Sequence, residues 1–381
     1  MAKKSSTRSF SSVQKIGIIG AGLMGLEITA LNVRNGFPVT IYDSNPAMLQ
    51  SVQSRLNAEL ADVPETLRQE MLDLAETGTF ENLGDCDLII EAIVEKIEAK
   101  SALYEEFRPY MRPSMIFVTN TSTIPIEKLA AVFPLPKNFA GFHFLHPVWN
   151  RELVEMIPST QTSEGVLQRL SDYAISLEKT ALCVCDCPGF VVNRLLNPYL
   201  NEGLKLLLEG VPMESIEKGA VNFGMTWGPL RIMDEIGLDT VMNAGKVLYN
   251  AYPDRIEISP VLVYMMKRKL LGRKTGMGFY LWGDDWRKNV HNHRFEPTGF
   301  NPAVREIIFS WQKEEPKKLS LQEIGNRLAM AMADEAERIL EDDVVSEQGQ
   351  VDMAAVIGLA FPESKHGPLA WKAEMGKYKN A

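Results

Sequence analysis

His143 and Glu155 lie in the run Gly-Phe-His-Phe-Leu-His-Pro-Val-Trp-Asn-Arg-Glu-Leu-Val-Glu that starts at Gly141, and His143 and His146 are two of the chain's five histidines. An imidazole takes or gives a proton near neutral pH, and a carboxylate behind it fixes the tautomer and stabilises the charged form. His143 with Glu155 is therefore the candidate acid–base pair. In this stretch alone, a buried histidine satisfied by a backbone carbonyl reads at least as well. The neighbouring motifs decide for chemistry.

A β-prone run, Lys15-Ile-Gly-Ile-Ile19, leads into Gly20-Ala-Gly22-Leu23-Met24-Gly25 and then into a helical pattern that stops at Gly36. Val39-Thr-Ile-Tyr42 reads as the second strand, with Asp43 at its end. The glycines permit a tight turn and close approach of a pyrophosphate, and a helix N-terminus offers unpaired N–H donors to phosphate. Asp43 would accept hydrogen bonds from the adenosine ribose and repel a 2′-phosphate. Strand, turn, helix, strand and acid in order predict a Rossmann-like dinucleotide site. With Ser44 and Asn45, not an arginine, after Asp43, NAD is expected rather than NADP.

Further buried strands are expected at 87–91, 114–118, 153–157 and 181–184, giving a mostly parallel sheet. Residues 46–83 read as helical and acidic, with Arg55 and Arg68 their basic residues. Asn120 and Ser122 follow a strand, where such sheets bind ligands. Past Asp186-Cys-Pro-Gly189 the pattern turns helical, with Asn193, Asn197 and Asn201 forming one polar row that reads as a solvated face, except that Asn193, nearest the domain junction, is also placed to reach the cleft.

The 381 residues suffice for two or three cores, and 45% apolar with 23% charged residues is a globular balance. The net charge of -9 argues against a nucleic-acid partner. No apolar run approaches the roughly 18 residues of a membrane span, so a cytoplasmic protein is expected. Cys86, Cys183, Cys185 and Cys187 lack zinc-site spacing, and His291 and His293 have no acidic or cysteine partner at ligand spacing, so no metal is expected. The basic, serine-rich residues 1–12 read as a flexible tail.

Two helical segments echo each other. Asn201-Glu202 through Val211, Gly224 and Gly228-Pro-Leu230 reappear as Asp334-Glu335 through Val344, Gly358 and Gly367-Pro-Leu369. Three anchors in order predict a duplicated helical domain. The expected organisation is a tail at 1–12, an α/β domain at 13–187 and all-α domains at 188–285 and 286–381.

Residues 15 to about 282 resemble the L-3-hydroxyacyl-CoA dehydrogenases, and the duplicated tail resembles the dehydrogenase portion of multifunctional fatty-acid oxidation enzymes. The resemblance rests on Gly20 to Gly25, Glu91-Ala-Ile-Val-Glu95, Asn120-Thr-Ser122, Gly141-Phe-His-Phe144, Leu153-Val-Glu155, Pro188-Gly-Phe-Val-Val-Asn193-Arg194 and Gly272-Arg-Lys-Thr-Gly276. It implies that His143 is the catalytic acid/base, that Glu155 orients it, and that Ser122 and Asn193 contact the reacting oxygen. It also implies that Gly20, Gly22, Leu23, Met24, Gly25, Asp43, Glu95, Lys100 and Asn120 serve NAD binding. The expected substrate is a 3-hydroxyacyl-CoA, and the expected state is a homodimer or a monomer holding an internal pseudo-dimer.

The chain departs from the family pattern at His146, where the family usually has Asn, and at Trp149, where a smaller residue is common. Its 46–83 segment is shorter and more acidic than the family's extension, which helps hold CoA. These departures keep open a smaller hydroxy acid, as for the gulonate and carnitine dehydrogenases, and an idle dinucleotide-binding protein, as among lens crystallins. Together, His143, Glu155, Ser122 and Asn193 favour the enzyme.

Overall fold

A computed structural model describes residues 13–286, 295–311 and 316–379. The expected tail and the His291/His293 pair lie outside the described residues. Two compact units divide at Cys187 and Pro188.

The first unit is an eight-stranded sheet in the order β3-β2-β1-β4-β5-β6-β7-β8, with helices packed on it. Its elements run β1 Ile16–Ile19, α1 Leu23–Arg34, β2 Val39–Tyr42, α2 Pro46–Gln50, α3 Val52–Glu59, α4 Glu65–Leu72, β3 Ala75–Thr77 and α5 Phe80–Leu83. They continue with β4 Leu88–Glu91, α6 Ile97–Phe107, β5 Ile116–Thr119, α7 Ile126–Ala130, β6 Phe139–Phe144, β7 Leu153–Pro158, α8 Glu164–Ser176 and β8 Thr180–Cys183. Strands β1, β2, β4 and β5 are apolar runs buried on both faces, as a sheet covered by helices requires. All neighbours pair parallel except β6 and β7, which are antiparallel.

The expectation of helix throughout 46–83 fails at β3. Ala75-Glu76-Thr77 pairs parallel with β2 as an edge strand. Three residues carry no readable alternation, so partner pairing, not local pattern, makes this strand.

Chain order reverses between β1 and β4, and the loops after β1, β4 and β5 meet beyond the strands' carboxyl ends. Such a switch point opens a ligand crevice. Gly20 adopts φ 106° against the Ala92 backbone, and a Cβ at Gly25 would collide with the Gly20 carbonyl oxygen. Only glycine lets the turn and helix close this tightly.

The second unit comprises α9 Val192–Leu208, α10 Met213–Phe223, α11 Pro229–Ile236, α12 Leu238–Ala251, α13 Pro260–Lys267, a small hairpin of β9 Tyr280–Leu281 and β10 Gly299–Phe300, α14 Pro302–Trp311, α15 Leu321–Glu341, α16 Gln348–Met353 and α17 Pro368–Lys379. The sequence echo has a physical counterpart here. Glu217 accepts the Leu230 N–H at 2.9 Å, and Asp352 accepts the Leu369 N–H at 2.8 Å. A buried or half-buried carboxylate thus caps the helix after each Gly-Pro, and the glycine leaves room for it in both places.

Helices α9 and α15 pack together and exchange ion pairs reciprocally. Arg194 Nε donates to Glu335 at 2.8 Å and its Nη2 to Asp342 at 2.7 Å. Arg327 Nε donates to Glu202 at 2.9 Å and its Nη1 to Glu209 at 2.6 Å. If Glu202 matches Glu335, each arginine lies about two helical turns before its own copy's glutamate, so the four bonds interchange under one pseudo-two-fold. Asn197 and Asn201 of the asparagine row lie along this seam and not on the solvated face expected of them. Asn197 is buried and accepts a hydrogen bond from Asn201 at 3.0 Å, and both line a cavity of about 210 Å³ with Arg194 and Glu335.

Two carboxylates in this unit stand out for their desolvation: Glu217, and Asp234, which accepts from the Phe279 and Tyr280 N–H groups and the Trp282 indole. Burial pushes each up to about 7, outweighing its hydrogen bonds. A carboxyl whose folded pKa exceeds its unfolded value favours folding when protonated, and that stability is lost as pH rises through the window from the unfolded to the folded value. Glu217→Gln keeps an acceptor for Leu230 without the charge. It should flatten the fall in melting temperature between about pH 4.5 and 7, by on the order of 3 kcal/mol at the upper end. Melting curves of both proteins across that window check this, and parallel pH profiles would refute it.

Candidate functional site

His143 lies on β6 and Glu155 on β7, and the antiparallel register sets the two directly opposite. Cross-strand neighbours on one face have Cβ atoms about 5 Å apart, within reach of an imidazole and a carboxylate. His143 Nδ1 is 2.7 Å from Glu155 Oε2, and both side chains are buried. The carboxylate accepts the Nδ1 proton, which leaves Nε2 as the ring's basic nitrogen.

The pairing of β5 with β6 ends at Thr119 and Gly141, so the histidine's strand runs on past its neighbour. Asn120 extends the attachment: its N–H donates to the Glu91 carbonyl and its side-chain oxygen accepts the Phe144 N–H, both at 2.8 Å.

Glu95, after β4, ties down the turn containing Ser122. Its Oε1 accepts from Thr121 Oγ1 at 2.6 Å, from the Ser122 N–H at 2.9 Å, and from the Thr123 N–H and Oγ1 at 3.0 Å. Burial alone would push its carboxyl up; Lys100 and these donors together outweigh burial and hold it below its usual range. Lys100 is itself buried, with its ammonium 2.6 and 2.8 Å from the two Glu91 oxygens and 3.6 Å from Glu95. Sequence reading did not single out Glu91 for a role. The signal was present as a charge ending an apolar strand.

At the dinucleotide turn, α1 starts at Leu23 with no side-chain cap and no acid in its first turn. Its first N–H groups are thus left to an anion, as a pyrophosphate requires. Asp43 Oδ2 accepts the Ala21 N–H and Oδ1 the Asn45 N–H, each at 2.8 Å. A carboxylate has about four acceptor positions, so ribose hydroxyls can still be served. The turn, the helix start and this acid fit NAD.

Glu27 was missed in sequence. It is the only acid of α1, it is 2% exposed, and it lies 2.9 Å from His146 Nδ1 while accepting the Val148 N–H at 2.8 Å. His146 is thereby tied to a different acid from the one that holds His143, and Trp149 is half exposed. A charge inside an otherwise apolar helix was the available signal. Asn193 belongs to the first turn of α9 in the second unit. Among the described residues, no three potential ligands gather for a metal, and Cys183 and Cys185 are exposed thiols. None of the described helices is long and apolar enough to cross a membrane.

Residues 15–187 match the model of the 3-hydroxyacyl-CoA dehydrogenase NAD binding domain, and residues 189–282 match the model of that family's C-terminal domain. The fatty acid oxidation complex subunit alpha of Acinetobacter baumannii is 30% identical over 98% of this chain and 53% of its own length. The chain thus spans about half the length of the curated relatives it matches. FadB2 of M. tuberculosis is 32% identical with a TM-score of 0.68, covering 72% of this chain and all of that one. The 3-hydroxybutyryl-CoA dehydrogenase of Escherichia coli K12 is 25% identical with a TM-score of 0.78, over 96% of this chain and 92% of its own. The dehydrogenase part of multifunctional enzyme 1 from C. elegans is 25% identical with a TM-score of 0.66, over 91% of this chain and 78% of its own. With an NAD-type crevice and both domain models matched in order, the chain belongs to the 3-hydroxyacyl-CoA dehydrogenase family of NAD-dependent oxidoreductases.

Proposed function

We propose that this chain interconverts (S)-3-hydroxyacyl-CoA and 3-oxoacyl-CoA, with His143 as the acid/base. The observation carrying the proposal is the cross-strand contact of 2.7 Å between His143 and Glu155. When bound, NAD supplies the hydride acceptor for the substrate's C3 hydrogen. His143 Nε2 takes the hydroxyl proton in oxidation and returns it in reduction. Glu155 stabilises the imidazolium so formed and keeps the ring from turning. Ser122, fixed by Glu95, orients the reacting oxygen by hydrogen bonding, and the family resemblance gives Asn193 the same role. Gly20, Gly22, Leu23, Met24 and Gly25 cradle the pyrophosphate, and Asp43 holds the ribose. Asn120, Glu95 and Lys100 set the shape of the nicotinamide end, Lys100 by fixing the two glutamates.

His143→Gln should lower turnover of acetoacetyl-CoA with NADH by about 10² or more, since the glutamine cannot shuttle a proton. Turnover within a few-fold of wild type would remove His143 from the mechanism. Wild-type activity on gulonate or carnitine but not on acyl-CoA would replace the substrate class while leaving the acid–base pair in place.

The reciprocal arginine pairs of α9 and α15 support a further reading, that the duplicated helical region buries within one chain the kind of surface a two-fold dimer buries between chains. In a two-fold interface each contact occurs twice with partners exchanged, which is the pattern of Arg194 with Glu335 and Arg327 with Glu202. Sedimentation at micromolar concentration should return a monomer. A tight dimer there would count against this reading.

A further inference from the structure

The peptide groups on both sides of Ala21, in the dinucleotide turn, are gripped by side chains of opposite charge. Asp43 accepts the Ala21 N–H at 2.8 Å, and Arg55 Nη1 donates to the Ala21 carbonyl at 2.7 Å. Arg55 stands on α3, whose Val52 and Leu56 are fully buried in the first unit's core. Arg34 of α1 reaches across to the Glu59 carbonyl at 3.1 Å and pairs with Asp62, so α3 is fixed against the helix that the turn begins. The other arginine of the acidic 46–83 segment, Arg68, is paired with Glu65. Arg55 is therefore the cation of that segment that reaches the turn, where its guanidinium and the Asp43 carboxylate hold the two sides of one residue, with Glu59 of α3 a further acid beside it.

We propose that Arg55 is a positioning and specificity-determining residue of the dinucleotide site, bracing the Ala21 peptide and offsetting the charge of Asp43 beside the adenosine ribose. The proposal rests on NAD occupying this turn. A hydrogen bond from a fixed cation holds the turn in one conformation, so less ordering remains to be done when the pyrophosphate arrives. The same cation softens the repulsion Asp43 exerts on a 2′-phosphate. Removing it should therefore penalise NADPH more than NADH.

The test is fluorescence titration of the full chain with NADH and NADPH, using wild type, Arg55→Met and Arg55→Lys, with circular dichroism and melting curves to confirm folding. Arg55→Met should weaken NADH binding by about 3- to 10-fold, the usual worth of such a bond, and NADPH binding by more. Turnover at saturating NAD should stay within about 2-fold, because the arginine touches the turn and not the reacting atoms. Arg55→Lys should restore the NADPH-to-NADH ratio, since it keeps the charge. NADH affinity unchanged in folded Arg55→Met overturns the bracing role, and equal losses for the two nucleotides overturn the specificity role. If the methionine variant does not fold, Arg55→Gln takes its place, and unchanged affinity for both nucleotides in it overturns both roles. Wild type that fails to bind NADH at all refutes the NAD reading instead, and is recognised before any variant is compared.

Discussion

The whole catalytic reading hangs on the register of one antiparallel strand pair. Side chains alternate across a sheet, so a slip of one residue between β6 and β7 would turn Glu155 to the opposite face from His143. The register is held from both sides. The residues flanking the pair, Phe142, Phe144, Val154 and Met156, form part of the apolar core, and a slip would carry Glu155 into that layer. Asn120 clips Phe144 to the end of β5, so the histidine's strand cannot slide along its parallel neighbour either.

Around that pair the fold repeats one device: an acid, buried at Glu91 and Glu27 and more open at Asp43 and Glu95, that receives backbone or side-chain donors from neighbouring segments. Glu95 gathers the turn of Ser122, Glu91 holds Lys100, Glu27 holds His146 and Val148, and Asp43 holds Ala21. Each acid is costly to bury alone and favourable once its donors converge. The result is a crevice whose loops, though made of loop residues, are fixed to sheet and helix by charge-assisted hydrogen bonds. In the helical unit the same chemistry serves packing, where two arginines bind four acids in a pattern that maps onto itself.

Much of this was legible in order along the chain. The Gly20 to Gly25 turn, the apolar parallel strands and Asp43 could be read because each is a local pattern: a backbone conformation only glycine adopts, a run buried on both faces, an acid at a strand end. The echo between the two helical segments has a counterpart in the carboxylate that caps the helix after each Gly-Pro. Strand β3 was not, since Ala-Glu-Thr becomes a strand only by pairing with β2. Asn197 and Asn201 were misread as a solvated face because a helix's polar stripe looks alike against water and against another helix's charges.

By itself, the sequence determined the element types, the dinucleotide turn and the inventory of groups able to move a proton. Tertiary structure decided how the groups meet and what holds the second histidine. The antiparallel register sets His143 opposite Glu155, the acid its sequence context proposed for it, and the packing of α1 brings Glu27, which the sequence did not single out, to His146. Partners so far apart in the chain meet through strand pairing and helix burial, and those long-range contacts leave no periodic trace in the residues they join.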